Sequence, residues 1–283
     1  MNTTFRPLAL AAAVFAGALL ASTPAAAAES YDNCTGFIDS LPATISTQGV
    51  WCLRKHVSMN LSTGTAISIA VNNVTIDCND FKIGGLAAGI DTQAYGIVAT
   101  ARLNTTVRRC GVRGFNRGIW LDGSGHLVEE NRLDANTFAG IVVSGEGNRI
   151  VGNRVMDTGG NPVLAVAYGI HASGDVVDNA VDFVAPEGEN ATPYGIVATE
   201  AGAEVSGNRV RGLIAKGTGK PTGLQASGVA QVVAGNRVSG TPGNGTGILA
   251  SGASSFCKDN VVFGFATGYS SCDTATGNLP VAP

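Results

Sequence analysis

Apolar and polar residues recur along the chain as a repeated unit that opens with a glycine followed by an aliphatic residue. In five of the units an asparagine, usually within Asn-Arg-Val, lies 13 residues after the glycine, and successive glycines are 22 to 29 residues apart. The seven pairs are Gly96-Ile97, Gly118-Ile119, Gly140-Ile141, Gly169-Ile170, Gly195-Ile196, Gly223-Leu224 and Gly247-Ile248. Because the unit recurs without the turn signals of hairpins, the pattern predicts coils of short strands stacked as a solenoid.

Alternation within the unit predicts three inward-facing columns of apolar residues. The first column is Ile67, Ile97, Ile119, Ile141, Ile170, Ile196, Leu224 and Ile248. The second is Val128, Ile150, Val176, Val205 and Val233, and the third is Phe81, Val112, Leu133, Val155, Val181, Val210, Val238 and Val262. A single coil buries too little apolar surface to offset the ordering of its backbone, so several coils must stack. The predicted fold class is all-β, a single right-handed parallel β-helix with capped ends.

The ends of the chain differ from the repeated region. Residues 1–28 are typical of a cleaved signal peptide, with Arg6 before an apolar stretch and small residues at 25–28. That stretch is shorter than the roughly 18–20 residues of a spanning helix, so we expect no membrane span and a secreted or periplasmic protein. The N-terminal cap and entry strands are expected over 29–65, the β-helix coils over 66–262, and the C-terminal cap and tail over 263–283.

Two sets of polar residues concern the architecture. The repeated asparagines could form a ladder of stacked amides or a polar recognition strip, and we favour the ladder. Six cysteines fit an oxidising compartment and lie near the ends of the solenoid, where caps are needed. We expect disulfides in chain order, which would join Cys34 to Cys52, Cys78 to Cys110, and Cys257 to Cys272.

Charge narrows the range of partners. The formal net charge is −3, or −4 without Arg6, which argues against nucleic acid. Arginines after the asparagine marks predict an outward basic stripe, interrupted at Ala180 and Val261; they are Arg132, Arg154, Arg209 and Arg237. The stripe could grip an acidic polymer, and Arg132 and Arg154 are therefore candidate substrate-binding residues. We favour the alternative, pairing with the neighbouring acids Glu129, Glu130, Asp178 and Glu204.

Residues two positions after each glycine are expected to face outward in a strip, which comprises Ser68, Val98, Trp120, Val142, His171, Val197, Gln225 and Leu249. Trp120 and Gln225 are candidate substrate contacts, and His171 with Asp122 is a candidate acid–base group. Insertions at 156–167, 182–193 and 211–221 would border this strip, and Tyr168 and Tyr194 at their ends are further candidate contacts. The alternative is that an insertion covers Trp120 and that His171 is an ordinary surface histidine.

A calcium site is conceivable, but we favour a protein without a cofactor. Asp175, Asp178 and Asp182 offer the oxygen ligands that calcium prefers, but they fall on alternate faces of a contracted turn. We therefore expect no cofactor.

The segments ATISTQGVWCL and AISIAVNNVTIDCNDFKIGG within 43–85, together with the later repeats, resemble the pectate-lyase-like superfamily of right-handed β-helices. The likeness is greatest to parallel β-helix repeat proteins of the sugar-binding and sugar-hydrolase type. It implies a polysaccharide or cell-envelope glycan as partner, bound or acted on by a lyase or glycoside hydrolase. The family's catalytic motifs, such as Gly-His-Gly and Arg-x-Pro-x-x-Arg, are absent, so enzymatic activity stays open. A noncatalytic envelope or cell-surface scaffold is the alternative, and no pattern indicates an oligomeric state.

Overall fold

Short strands joined by tight turns form three parallel sheets in the computed structural model, which describes residues 31–272 and 274–281. The predicted signal peptide lies outside the described residues. Strands are numbered in chain order. Sheet A comprises β1 (Gly36–Phe37), β3 (Gly49–Cys52), β6 (Val74–Asp77), β9 (Thr105–Arg108), β12 (Leu127–Glu129), β15 (Arg149–Val151), β18 (Asp175–Val177), β21 (Glu204–Ser206), β24 (Val232–Ala234), β27 (Phe256–Lys258) and β30 (Thr274–Thr276).

The other two sheets have ten strands each. Sheet B comprises β2 (Ala43–Ile45), β5 (Thr65–Ile69), β8 (Tyr95–Leu103), β11 (Arg117–Ser124), β14 (Ala139–Ser144), β17 (Val166–Ala172), β20 (Thr192–Ala198), β23 (Thr222–Ala226), β26 (Thr246–Ala250) and β29 (Thr267–Ser270). Sheet C comprises β4 (Val57–Ser58), β7 (Lys82–Gly84), β10 (Gly111–Arg113), β13 (Arg132–Asp134), β16 (Arg154–Gly159), β19 (Ala180–Ala185), β22 (Arg209–Leu213), β25 (Arg237–Ser239), β28 (Val261–Phe263) and β31 (Leu279–Val281). A short 3-10 helix, Leu86–Ala88, follows β7.

Each coil runs through sheets B, A and C in turn, and each strand pairs with the equivalent strand of the next coil. Sequential strands lie in different sheets, and each pairs with the equivalent strands of the neighbouring coils, which makes the all-β parallel β-helix that the sequence predicts. The strands at both ends, β1 to β4 and β29 to β31, belong to the same sheets, so the segments predicted as caps contribute strands themselves.

The interior is built from the predicted columns. Ile119 lies beside Ile97 and Ile141, and the series continues in register to Ile248 with every member fully buried. One residue of the third column is wrong, because Ile83 and not Phe81 lies beside Val112. The turn before this strand contains two left-handed residues, Asn79 and Asp80, which move the start of the strand to Lys82.

The glycine that opens each unit is required by a close approach between sheets B and C. A Cβ atom on Gly169 would lie 2.4 Å from Val181 Cγ1 of its own coil and 2.6 Å from the carbonyl oxygen of Gly195 in the next coil. The same arrangement recurs at Gly195, with Val210 and Gly223 as the neighbours. Only glycine fits at this inner corner, so the sequence mark records a packing constraint.

An asparagine ladder, the favoured interpretation, closes the corner between sheets A and C. The Oδ1 of each asparagine after Asn131 accepts hydrogen bonds from the backbone N–H and the side-chain Nδ2 of the equivalent asparagine in the preceding coil, at 2.9–3.0 Å and 2.9–3.1 Å. The ladder consists of Asn131, Asn153, Asn179, Asn208, Asn236, Asn260 and Asn278. The ladder gives hydrogen-bond partners to polar groups that are buried away from solvent, and so fixes the register of successive coils.

Three disulfides join Cys34 to Cys52, Cys78 to Cys110 and Cys257 to Cys272, which is the predicted pairing. The second continues the asparagine ladder, because the backbone N–H of Cys110 donates to Asn131 Oδ1 at 3.0 Å. Covalent and hydrogen-bonded links between coils thus share one corner of the solenoid.

Replacing one member of the ladder tests its contribution to stability. We expect Asn208→Ala to lower the free energy of unfolding by about 1–3 kcal/mol, because the buried backbone N–H of Asn179 loses its acceptor and an unsatisfied buried group costs about that much. Urea unfolding measures the change. The exposed Asn33→Ala is the control and should change stability by less than about 0.5 kcal/mol. Equal effects of the two substitutions would contradict the ladder's role.

A shorter ladder at the corner between sheets B and A contains a histidine. The backbone N–H of Thr105 donates to His126 Nδ1 at 3.2 Å, and the N–H of His126 donates to Asn148 Oδ1 at 2.8 Å. His126 is 2% exposed, and burial lowers its pKa below the ordinary value. The neutral ring is the form that accepts from Thr105, since a protonated Nδ1 carries a hydrogen of its own.

This arrangement predicts acid lability. Because the folded state lowers the pKa of His126, the unfolded chain binds the proton more readily, and stability is lost as pH falls below about 6.5. We expect His126→Asn, which offers an amide oxygen as Asn148 does, to lose less stability than the wild type between about pH 7 and pH 5. Urea midpoints across that range measure the difference, and parallel pH profiles would refute it.

Candidate functional site

The outward side of sheet B carries the strip predicted from the residue two after each glycine. Trp120 lies beside Val98 and Val142, and Val142 lies beside His171. The whole row is in register from Ser68 to Leu249. The prediction that these residues share one face of the solenoid is therefore confirmed.

A second outward row on sheet B lies one residue before each glycine. In it, Tyr95 pairs with Arg117, and Tyr168 pairs with Tyr194. The two rows and the adjacent Phe138 form a continuous surface over five successive strands, β8, β11, β14, β17 and β20. We call this surface the aromatic face, and its members, all partly buried, are Tyr95, Arg117, Trp120, Phe138, Tyr168, His171 and Tyr194.

One half of the aromatic face is organised around Arg117. Its guanidinium carbon lies 5.4 Å from the ring centroid of Tyr95, 5.1 Å from that of Trp120 and 4.8 Å from that of Phe138. Tyr95 and Trp120 also meet edge to face, with centroids 5.2 Å apart. A cation held by three rings is attracted by each of their negative faces, so this half is preorganised.

The other half consists of rings stacked against Tyr168, one from its own strand and one from the next coil. The centroid of Tyr168 lies 5.1 Å from that of Tyr194, with 19° between the planes, and 5.1 Å from that of His171, with 29° between them. Phe138 meets Tyr168 edge to face at 5.6 Å and joins the two halves. Tyr168 is therefore the central ring of this half, and Phe138, His171 and Tyr194 all pack against it.

Burial sets the protonation of the stack. It lowers the pKa of His171, and it raises the pKa of Tyr168, with a smaller contribution from Tyr194. His171 is consequently neutral near pH 7 and Tyr168 keeps its hydroxyl proton. The positive charge of Arg117 lies among rings that are largely apolar.

The structure does not join Asp122 and His171 as an acid–base pair. Asp122 accepts a hydrogen bond from the Ser144 hydroxyl at 2.7 Å and from the backbone N–H of Ala101 at 3.2 Å. The bond from Ser144, with that from Ala101, lowers the pKa of Asp122 and keeps it ionised. His171 lies two strands away, beside Val142. A catalytic role for either residue stays a prediction.

The remaining predicted contacts lie at the margins of the aromatic face. Gln225 continues the outward row one strand beyond Tyr194, beside Val197. The insertions stack on one another from coil to coil, with the backbone N–H of Gly188 donating to the carbonyl of Leu164 at 2.9 Å. They therefore extend the edge of the coils next to Tyr168 and Tyr194.

Arg132 and Arg154, the other candidate substrate contacts, lie on sheet C and not on the aromatic face. They belong to a row of exposed side chains, the arginine row, which consists of Arg132, Arg154, Arg209 and Arg237. The favoured pairing with Glu129, Glu130, Asp178 and Glu204 is wrong, because none of the ion pairs among the described residues includes a member of the row. The acids beside the row on sheet C, Asp134 and Asp182, bind Arg113 and Arg211, which are outside the row.

The acids considered for calcium are separated. Asp175 pairs with Arg149 at 3.0 Å, and Asp182 bonds Arg211 at 2.9 Å. Within 31–272 and 274–281, no three His, Cys, Asp or Glu side chains are grouped to hold a metal ion. No helix in this part of the chain is long and apolar enough to cross a membrane.

Sequence reasoning missed Tyr95, Arg117 and Phe138. A signal for two of them was present, because Tyr95 and Arg117 precede their glycines as Tyr168 does. Phe138 precedes its strand by one residue and takes its place only through ring contacts with Arg117 and Tyr168.

Comparison with solved structures finds similar β-helices of low identity. The Dettilon tailspike protein matches with a TM-score of 0.47 and 15% identity, over 80% of this chain and 53% of that one. A DFA-IIIase variant from Arthrobacter chlorophenolicus gives 0.45 and 14%, over 75% and 52%. A mannuronan C-5 epimerase A-module of Azotobacter vinelandii gives 0.45 and 10%, over 86% and 90%. The chain thus spans about half the length of the first two proteins.

No curated protein sequence matches the chain. The family model described as "Right handed beta helix region" matches residues 30–183, which is more than half of the 283 residues. This stretch contains the entry strands and the coils that carry most of the aromatic face. By that match and by its three parallel sheets, the chain belongs to the right-handed β-helix family.

Proposed function

We propose that the protein binds a polysaccharide through the aromatic face of sheet B. The observation that carries the proposal is that six partly buried rings, three of them around Arg117, meet on one outward surface. Aromatic residues gathered on an exposed face of a rigid scaffold are typical of ligand contact. Sugars match this chemistry, because their apolar C–H faces pack on rings while hydroxyls bond to tyrosine, histidine and arginine.

The length of the face favours a polymer over a single sugar. The face covers five successive strands, and strands are about 4.8 Å apart, so it extends about 19 Å along the solenoid axis. Because the coils stack in parallel, the residues of the aromatic face are held at a regular spacing from strand to strand. An extended chain can therefore contact several coils at once, which adds weak contacts into useful affinity.

The proposal is binding without bond cleavage. The carboxylate of Asp122 is engaged by Ser144 and Ala101, and His171 is stacked on Tyr168. A general acid–base pair needs both groups within reach of one substrate atom. The lack of a hydrogen bond between these two residues supports a binding role.

Location forms part of the proposal. Three disulfides persist in oxidising compartments, and they support a secreted or periplasmic protein. Polysaccharides of the cell envelope and its surroundings are available there. The partner is therefore proposed to be an extracellular or envelope glycan.

A structural scaffold is the second candidate, and the stacking of Tyr168 favours it. His171 and Tyr194 both pack against this ring, as they would in a ladder that stabilises the coils. On this alternative the aromatic face contributes to stability and contacts no ligand.

Removal of Trp120 separates the two candidates. A screen of the mature protein against a broad panel of polysaccharides first identifies a binder. Trp120→Ala should then weaken binding about tenfold in calorimetric titration, since aromatic contacts contribute about 0.5–1.5 kcal/mol beyond area burial. Leu61→Ala, which removes an exposed apolar side chain between β4 and β5, is the control and should bind as the wild type does.

Two outcomes would contradict the binding proposal. One is a folded wild type that binds nothing across the panel. The other is a Trp120→Ala variant that loses thermal stability but keeps full affinity, which would identify the ring as structural.

A further inference from the structure

We propose that the arginine row on sheet C is a second binding surface, for the carboxylates of a linear acidic polysaccharide. The surface lies on a different sheet from the aromatic face and shares no residue with it. The inference therefore goes beyond the proposed function and does not rest on it.

Backbone register places the guanidinium groups at regular intervals. Arg132 is paired directly with Arg154, and Arg209 directly with Arg237. Strand spacing separates each pair by about 4.8 Å along the axis, and Ala180 separates Arg154 from Arg209 by about twice that distance. The row therefore presents four exposed cations over about 19 Å.

The two acids that lie beside the row on sheet C are already paired with other arginines. Asp134 lies in sheet C beside the row, and it pairs with Arg113 at 2.9 Å. Asp182 lies in the same outward position two coils on and bonds Arg211. The neighbouring positions are thus neutralised by arginines outside the row. A local positive stripe remains in a protein whose formal net charge is −3.

The break in the row forms a depression that fits an anionic group. Its volume is about 170 Å³, and it is lined by Arg154, Arg209, Arg211 and Asp182, with Ala180 and Val181 also contributing. The short side chain of Ala180 leaves space between the two flanking arginines. A second depression, of about 210 Å³, lies between Arg209 and Arg237.

Carboxylates on a polymer suit this geometry. Guanidinium groups bind planar carboxylates by two parallel hydrogen bonds, whereas a single exposed ion pair contributes little. Several charges on one chain can engage several members of the row together, which offsets the weakness of each pair.

A matched set of dextrans tests the proposal. Carboxymethyl-dextran supplies carboxylates, unmodified dextran lacks them, and dextran sulfate replaces them by another anion. At low salt we expect the wild type to bind carboxymethyl-dextran more tightly than either of the others. Binding should weaken as salt rises, because exposed charges are screened.

Substitutions assign the binding to the row. Arg154→Gln with Arg209→Gln should weaken binding of carboxymethyl-dextran at least about tenfold, which corresponds to about 1.4 kcal/mol. Lys55→Gln with Lys220→Gln removes the same charge from exposed positions outside the row, and should change affinity less than about twofold. Ala180→Glu keeps every arginine but puts a carboxylate into the depression, and should weaken binding as strongly as the double arginine variant.

Several results would overturn the proposal. Equal binding by the arginine and lysine double variants would place the site elsewhere, and tighter binding of dextran sulfate or duplex DNA would reject carboxylates as the ligand. Trp120→Ala should bind carboxymethyl-dextran as the wild type does. Loss of binding in that variant would mean that the acidic polymer uses the aromatic face, so failures of the two proposals are distinguishable.

Discussion

Hydrogen bonding between equivalent positions of successive coils is the constraint on which the rest of this structure depends. The asparagine ladder expresses it most strictly, because each buried amide oxygen accepts two donors from the coil before it. A coil displaced by one residue would leave those donors unsatisfied and turn its apolar side chains outward. Glycines such as Gly169, with no room for a Cβ, allow sheets B and C to approach closely at another corner of the coil.

This constraint also shapes the surfaces of the protein. A residue type that recurs at one position of the repeated unit lies beside its equivalents in the neighbouring coils and so forms a row. On sheet B the rows bring Tyr95, Arg117 and Trp120 of two coils together. Phe138 of the next coil links this group to the rings of the two coils that follow. On sheet C the same regularity places arginines side by side. The two surfaces differ in chemistry, since the aromatic face is largely apolar and the arginine row is cationic and exposed.

The sequence predicts most of the architecture because the glycine and asparagine marks report geometry directly. The predicted columns failed at Phe81, where two left-handed residues lengthen a turn that spacing alone does not reveal. Site residues were predicted less well. Trp120, Tyr168, His171 and Tyr194 were placed outward, but their stacking depends on side-chain directions. The predicted pairing of the arginines was wrong because Glu129 and Glu204 lie on sheet A, across the asparagine corner from the arginine row on sheet C.

Amide hydrogen exchange tests the coil-to-coil constraint most directly. The backbone N–H groups of Asn153, Asn179 and Asn208 donate to the asparagine of the next coil, so they should exchange only through global unfolding. Their protection should approach the full free energy of unfolding and exceed that of the exposed turn at Gly243 by several orders of magnitude. Exchange of the ladder amides at the rate of Gly243 would contradict the account.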